Sequence, residues 1–397
     1  MRRQPSNRSM GTIVRVSTLA AAMALATAAC GSDTDSDSPG ESDVIKVAVL
    51  MPTSGPAGSL GKAQIEGMQL RIDQANREGG VLGKKLEVTV YDDAADPATG
   101  VSAFTRAANQ DNQRIFMGPV ITTVGTAVAD YANEAGALLV SPTIRAEAFT
   151  EDCKYCYSLS PSEAQWAAGE AAFYLDLGAE SIYAVGDMSE TARNDVTAMK
   201  DYLDGQNATI VGEDYIDTVK TQQYAPFVER VSSASPDLVH TIIASVPPQV
   251  AFLREALSSG LAERSMLTMS PGLAEDTVAA LNEADVPADG LLGVDFWISA
   301  TAGNAKNDAL RKMFVDEIGN DPTKYGVLGY ATADVLLQAI SEADSTNPEE
   351  VAGALDEIAY DSPFSNDPMQ FVNHRFQWDP ERFLRLRIED GKLRIVD

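Results

Sequence analysis

From residue 44 onward the apolar positions fall into two recurring patterns: short continuous runs, and longer stretches with helical spacing. The run 44–51, VIKVAVLM, is rich in β-branched residues and reads as a strand buried on both faces. A Gly/Pro loop follows over 52–61. Then Ile65, Met68, Ile72 and Ala75 recur at spacings of three, four and three, which is one face of a helix. Gly79 and Gly80 stand where such a helix ends. The alternation predicts further strands at 85–93, 114–118, 137–142, 181–187, 208–216, 237–244, 265–270 and 290–296. Helices are predicted between them near 124–135, 162–177, 190–204, 224–233 and 249–259. Helices near 304–318, 326–343 and 348–358 and two short strands, RFLRLRIED and KLRIVD, close the chain.

Repeated βα units dictate parallel sheets with right-handed crossovers and helices on both faces. There are more units than one sheet needs. The predicted fold is therefore α/β, two doubly wound parallel-sheet lobes joined by several crossovers, with a ligand cleft between them. Lobe 1 is expected over 44–161 plus about 294–376, and lobe 2 over about 162–293 plus 377–397. In such sheets ligands sit beyond the carboxyl ends of the strands. That directs attention to loops 52–61, 118–123, 142–146, 187–191, 244–248 and 270–273, several of them rich in Gly, Pro, Ser and Thr.

The N-terminus follows a different rule. Arg2, Arg3, Arg8 and Arg15 form a cationic lead, and Val16 to Ala29 then run 14 residues without a charge, ending in small residues before Cys30. This is the layout of a secretory signal over 1–29, too short to cross a bilayer comfortably. LATAAC resembles a bacterial lipobox, with Thr27 where Leu is usual and Leu25 further back. It implies lipidation at Cys30; the alternative is a plain secreted protein. Residues 30–43, beginning with that Cys, continue as GSDTDSDSPGESD, which has no apolar residue and is expected to be a flexible tether. No later stretch is apolar and long enough to span.

The net charge is −28, and removing 1–29, with its four Arg and no acid, makes it −32. Such a surface repels nucleic acid and anionic lipid and favours solubility. Enzyme signatures are missing: HExxH, GxSxG and GxGxxG do not occur, and the two histidines are His240, inside an apolar run, and His374. GPAGSLGK misses the phosphate-loop pattern, because five residues separate Gly55 from Gly61 and Ala63 replaces the magnesium-holding hydroxyl. The pair Asp92–Asp93 reads as a solvated strand end. Cys153 and Cys156 form a CxxC with no second pair to complete a zinc site, so no metal or cofactor is expected, and a local disulfide is.

The order of these segments resembles a known family. IKVAVLMPTSGPAGSLGKAQIEGMQLRIDQANREGGVLGKKLEV, YDDAADP, MGPVITT, GALLVSP and YSLSPSEAQWAAGEAAFYLDLGAESIYAVGD are similar to the leucine/isoleucine/valine-type solute-binding proteins of ABC importers. GYATADVLLQAI and FVNHRFQWDPERFLRLRIEDGKL match in kind, so the likeness spans about 44–397. It implies a type I periplasmic-binding fold and no catalysis. It also implies a small-molecule ligand (an amino acid, amide or small organic acid) and an ABC permease as partner. A ligand-sensing receptor acting through a separate membrane protein is the alternative.

Carried over by position, the resemblance puts Leu60, Thr122, Thr123, Thr143 and Arg145 at the ligand from the first lobe. From the second come Thr191, Pro247 and Gly272, and Tyr325 forms an aromatic wall. The departures are informative. Relatives that bind α-amino acids often have an acid near Gly272 for the ammonium, and Tyr at the places of Leu60 and Thr191; Arg145 stands where Thr is usual. These changes point away from a plain branched-chain amino acid. A guanidinium at 145, with the Thr122 and Thr123 hydroxyls, can grip an anionic group. Alternatively Arg145 lies on the rim and pairs with Glu147 or Glu151.

Overall fold

The computed structural model describes residues 44–55, 57–299 and 305–396. The signal-like segment, Cys30 and the tether lie outside the described residues. The first half of the chain runs β1 (Val44–Met51), α1 (Gly58–Arg77), β2 (Lys85–Asp92), α2 (Pro97–Asn109), β3 (Ile115–Met117), α3 (Thr122–Ala135), β4 (Leu138–Ser141), α4 (Glu147–Glu151) and β5 (Cys156–Ser158). It continues with α5 (Glu163–Asp176), β6 (Ser181–Asp187), α6 (Glu190–Leu203), β7 (Thr209–Ile216), α7 (Ala225–Ala234), β8 (Leu238–Ile242), α8 (Val246–Ser258), β9 (Met266–Leu267), α9 (Ala274–Glu283) and β10 (Leu292–Asp295). Last come α10 (Ala305–Glu317), α11 (Lys324–Ala343), α12 (Pro348–Glu357), β11 (Phe371–Val372), β12 (Arg375–Phe376), β13 (Leu384–Glu389) and β14 (Lys392–Ile395).

The strands form two parallel arrays. A seven-stranded sheet has the order β11-β12-β5-β4-β3-β1-β2, and a four-stranded sheet the order β7-β6-β8-β9. β1 lies between β2 and β3 in register Val47 with Val88 and Ala48 with Phe116. Its residues from Val47 on are fully buried, as expected of a strand covered on both faces. In the smaller sheet Ala184 faces His240 and Val239 faces Leu267.

Several elements lie beyond the apolar pattern. α2 begins at an Asp96 cap with Pro at its first position, and the Asp96 carboxylate accepts from Thr99 N at 2.8 Å. α4 and α9 are likewise not predicted by the pattern, nor are strand β5 and the antiparallel hairpin β11–β12, which extends the large sheet through Arg375 beside Ser158. The last strands are likewise antiparallel: β10, β13 and β14 form a separate three-stranded sheet, with Gly293 opposite Leu386. β9 is shorter than the predicted 265–270. Beyond Leu267 the Thr268 and Ser270 hydroxyls, not backbone carbonyls, accept from Thr241 N (3.0 Å) and Ile243 N (2.7 Å).

Two corrections concern polar residues. Asp93 is not a solvated strand end: it is fully buried, and burial raises its pKa to about 6. Asp92 accepts from Thr53 N, Ser54 Oγ and Ala94 N at 2.7–2.9 Å, tying the loop after β1 to the end of β2.

Helices α1 and α11 pack backbone to backbone across one face of the large sheet. A Cβ on Gly67 would come within 1.9 Å of the Gly326 carbonyl oxygen, and one on Gly329 within 2.0 Å of the Gln64 carbonyl oxygen. Only glycine permits that approach. It seats the start of α11, with Lys324 and Tyr325, over the carboxyl edge of the sheet. The Sγ atoms of Cys153 and Cys156 are bonded, bracing the entry to β5. No helix among the described residues is long and apolar enough to cross a membrane.

Candidate functional site

The carboxyl ends of both parallel sheets feed one cavity of about 210 Å3. From the large sheet, the β3–α3 connection supplies Val120, Ile121 and Thr122, and the loop after β4 supplies Thr143 and Arg145. From the smaller sheet come Ser189 and Thr191 at the start of α6, Ile242–Ala244 after β8, and Ser270, Pro271 and Leu273 after β9. Phe296 follows β10; Trp166 and the α11 residues Lys324, Tyr325 and Leu328 complete the wall.

Polar groups span the cleft. The Thr122 and Thr191 hydroxyls lie 3.4 Å apart, one from each side. Arg145 reaches across to donate from Nη2 to the Pro271 carbonyl at 3.2 Å, while its Cζ stands 4.6 Å from the centre of the Trp166 ring. Lys324 also bridges, with Nζ 2.9 Å from Asp295 Oδ2 and donating to the Gly272 carbonyl. The ring of Phe296 and that of Tyr325 each lie 5.4 Å from the ammonium. Thr143 spends its hydroxyl proton on the Val120 carbonyl at 3.1 Å. A concave, mainly apolar cavity with a few convergent polar groups between two α/β arrays is the form of a small-molecule site.

Residues 44–382 match the periplasmic binding protein family. The chain belongs to that family. It is a solute-binding protein and not an enzyme. It is 26% identical over 356 residues to the leucine-, isoleucine-, valine-, threonine- and alanine-binding protein of Pseudomonas aeruginosa, covering 89% of this chain and 91% of that one. It is 27% identical over 327 residues to the Leu/Ile/Val-binding protein BraC3 of Rhizobium johnstonii, covering 78% and 83%. The fold is shared with an ABC-transporter solute-binding protein of Rhodopseudomonas palustris solved with 3,4-dihydroxybenzoic acid. That likeness has a TM-score of 0.78 at 20% identity over 89% of this chain and 95% of the other.

Within this binding protein the positions singled out from sequence separate into two groups. Leu60, Thr122, Thr143, Arg145, Thr191 and Tyr325 all line the cavity. Thr123, Pro247 and Gly272 do not. Thr123 is the second residue of α3, one step round the helix from Thr122. Pro247 is exposed in the first turn of α8, which begins three residues earlier than its apolar pattern indicates. Gly272 is buried behind Lys324 and lines a neighbouring cavity of about 240 Å3. Arg145 has no carboxylate within ion-pair distance among the described residues; Glu147 and Glu151 are not its partners.

Sequence reasoning passed over Trp166, Phe296, Lys324, Ser160 and Ser189. Trp166 sits at helical spacing with other apolar residues and has the signature of a core position. Lys324 precedes Tyr325 at the start of α11, where a lysine reads as solvent-facing, yet it is buried. The signal available in retrospect is the cap: Thr323 Oγ1 accepts from Gly326 N at 3.1 Å, which places residue 324 in the first turn, at the sheet edge.

A buried polar ladder runs behind Trp166. Glu163, Trp166, Glu170 and Tyr174 recur along one face of α5. Tyr174 donates to Glu170 Oε1 at 3.2 Å and lies 3.0 Å from His240 Nδ1, and His240 Nε2 lies 2.9 Å from Asp195 Oδ1. Ligand-type atoms of Glu170, Asp195 and His240 fall within 4.8 Å of one another. Both imidazole nitrogens already have oxygen partners, so the arrangement shares protons rather than presenting a lone pair to a cation. Burial raises Glu170, with His240 opposing. Burial works against charging His240, but Glu170 and Asp195 outweigh it and its pKa rises. Glu163 is pushed up to about 8 by burial, against the pull of Arg145.

Proposed function

We propose that this binding protein captures a small organic anion in the cleft, outside the cytoplasmic membrane, and delivers it to an ABC-type permease. The supporting observation is Arg145: a guanidinium lining a largely apolar cavity, stacked on Trp166 and lacking a carboxylate partner among the described residues. One Nη2 proton is spent on the Pro271 carbonyl, and the remaining guanidinium donors suit a carboxylate, which takes two hydrogen bonds. The Rhodopseudomonas palustris likeness, solved with an aromatic acid, agrees with that ligand chemistry. The Leu/Ile/Val-binding relatives make an amino acid the competing ligand.

The groups that bridge the two sheets, Thr122 to Thr191 and Arg145 to Pro271, are the contacts a hinge closure would make over a bound solute. The lobes proposed to close are 44–161 with about 294–376, and about 162–293 with 377–397. The grouping of β1–β5, β11 and β12 in one sheet and of β6–β9, β13 and β14 in the others supports this division, with β10 at its boundary. Lipidation at Cys30, with 30–43 as tether, would hold the protein at the extracytoplasmic face of the cell membrane.

A thermal-shift screen of the purified protein against aromatic acids, aliphatic acids, amides and amino acids tests the reading. A ligand at a hundredfold over its Kd, binding only the folded state, adds about 2.7 kcal/mol. Stabilisation by a carboxylate that is lost in Arg145→Ala is the expected result. Stabilisation by neutral amides alone, unchanged in Arg145→Ala, removes the anion assignment. No stabilisation by any class at millimolar concentration counts against solute capture itself.

A further inference from the structure

The ligand's class can be narrowed by asking where the cleft could hold a positive charge. Among the described residues no Asp or Glu lines the cavity, whereas Arg145 and Lys324 both do. The acid nearest Lys324 is committed to it. Asp295 lies buried behind Lys324, bound to its Nζ at 2.9 and 3.2 Å, and the same Nζ donates to the Gly272 carbonyl. Three acceptors therefore surround one ammonium, matching its three N–H donors. That ammonium is the protein's own. Lys324, Leu273 and Tyr325 form the wall between the ligand cavity and the neighbouring one, whose lining carries Glu275, Asp276, Asp295 and Asp321.

The backbone enforces this arrangement. Gly272 has φ +77°, and a Cβ there would lie 2.7 Å from Lys324 Nζ, 3.3 Å from Arg145 Nη2 and 3.7 Å from Trp166 Cη2. Any side chain at 272 would be strained by the left-handed backbone and would have to displace the Lys324 ammonium, so the position is left to glycine.

We propose that Lys324 is a built-in occupant of the ammonium position, so that the cleft selects small carboxylates lacking an α-ammonium group. This rests on the reading of the cleft as a solute site. A carboxylate held by Arg145 places its α-carbon substituent one bond further on, among Trp166, Phe296 and Tyr325 and beside a second cation. An ammonium there faces Lys324 with Asp295 held on its far side, and no carboxylate lines the cavity among the described residues, so it would be buried unpaired, which is strongly unfavourable. A hydrogen or methylene in the same place meets ring faces.

Matched compounds on one carbon skeleton test this: 3-phenylpropanoate, L-phenylalanine and 2-phenylethylamine, with 4-methylpentanoate, L-leucine and isopentylamine as a second set. Calorimetry on the purified protein should show at least one carboxylate binding at least about tenfold tighter than its amino acid, and neither amine binding. In Lys324→Ala the Asp295 carboxylate faces the cavity, and the preference should shrink by about tenfold or more. An amino acid that binds as tightly as its des-amino counterpart overturns the selection while leaving solute capture standing. So does a preference unchanged in Lys324→Ala. Where that variant does not fold, the wild-type series decides alone, and no binding by either carboxylate also overturns the proposal.

Discussion

Arg145 from the large-sheet side lies over the indole of Trp166 on α5, Cζ 4.6 Å from the ring centre, and the Nε1–H of that indole is buried with no acceptor among the described residues. The stacking orients the guanidinium across the cleft, where it reaches the Pro271 carbonyl. Replacing Trp166 with Leu should therefore weaken ligand binding, although the ring need not touch the ligand. A loss of about 1–2 kcal/mol, roughly five- to thirtyfold in Kd, is expected by calorimetry.

Thr191 offers a narrower test of closure. Its hydroxyl meets that of Thr122 at 3.4 Å across the cleft. Thr191→Val keeps the shape and removes the hydrogen bond. Affinity should fall by about 1 kcal/mol, with the dissociation rate carrying most of the change. Stopped-flow traces with an unchanged off-rate would count against a role in holding the lobes together.

Glu163 carries a pH signature. Its pKa is raised from 4.5 to about 8 by burial, so the folded protein holds a proton there that the unfolded chain releases. Its contribution to stability is full below about pH 4.5 and is lost as pH rises through about 8. Glu163→Gln imitates the protonated form. The variant should gain stability over wild type as pH increases from 5 to 9, by on the order of 2 kcal/mol or more at the alkaline end. Equal pH slopes for both proteins in urea titrations would refute the assignment.

His240 links Asp195 to Tyr174 and Glu170 in the core of the smaller lobe. Removing it in His240→Ala leaves two buried carboxylates without their shared donor. A loss of about 3–5 kcal/mol is expected, measured as a fall in the urea midpoint.

The N-terminal prediction is independent of the fold. Cys30→Ala should release the protein into the medium or leave it unprocessed. A variant that stays membrane-bound and correctly cut argues against lipid anchorage.

The α/β class, the order of most strands and helices, and the loops at the sheet edges were legible from the chain alone; the six cavity residues came from the family resemblance, carried over by position. The reason is local: a buried strand such as 44–51 declares itself by an unbroken β-branched run, and its C-terminal loop must open on the sheet edge where ligands sit. The elements that escaped have weak local signals. β5 is three residues, β11 and β12 are two each, and they exist only because the large sheet offers them an edge. Which loop residue enters the cavity is likewise a matter of helix phase. α3 starts at Thr122, so that residue faces the cleft and Thr123 turns away; α8 starts early and carries Pro247 to the surface.

The partners of each charge were decided by the tertiary structure. In one dimension Lys324 is an unremarkable surface lysine and Asp295 the end of a strand, 29 residues away. Packing of α1 on α11 through Gly67 and Gly329 brings Lys324 down onto the strand end. Once water is excluded there, the lysine must find acceptors, and it takes Asp295 and the Gly272 carbonyl. The sequence determined that a solute cleft would form and which loops would line it; the burial that selects among its charges arises only when the two lobes meet.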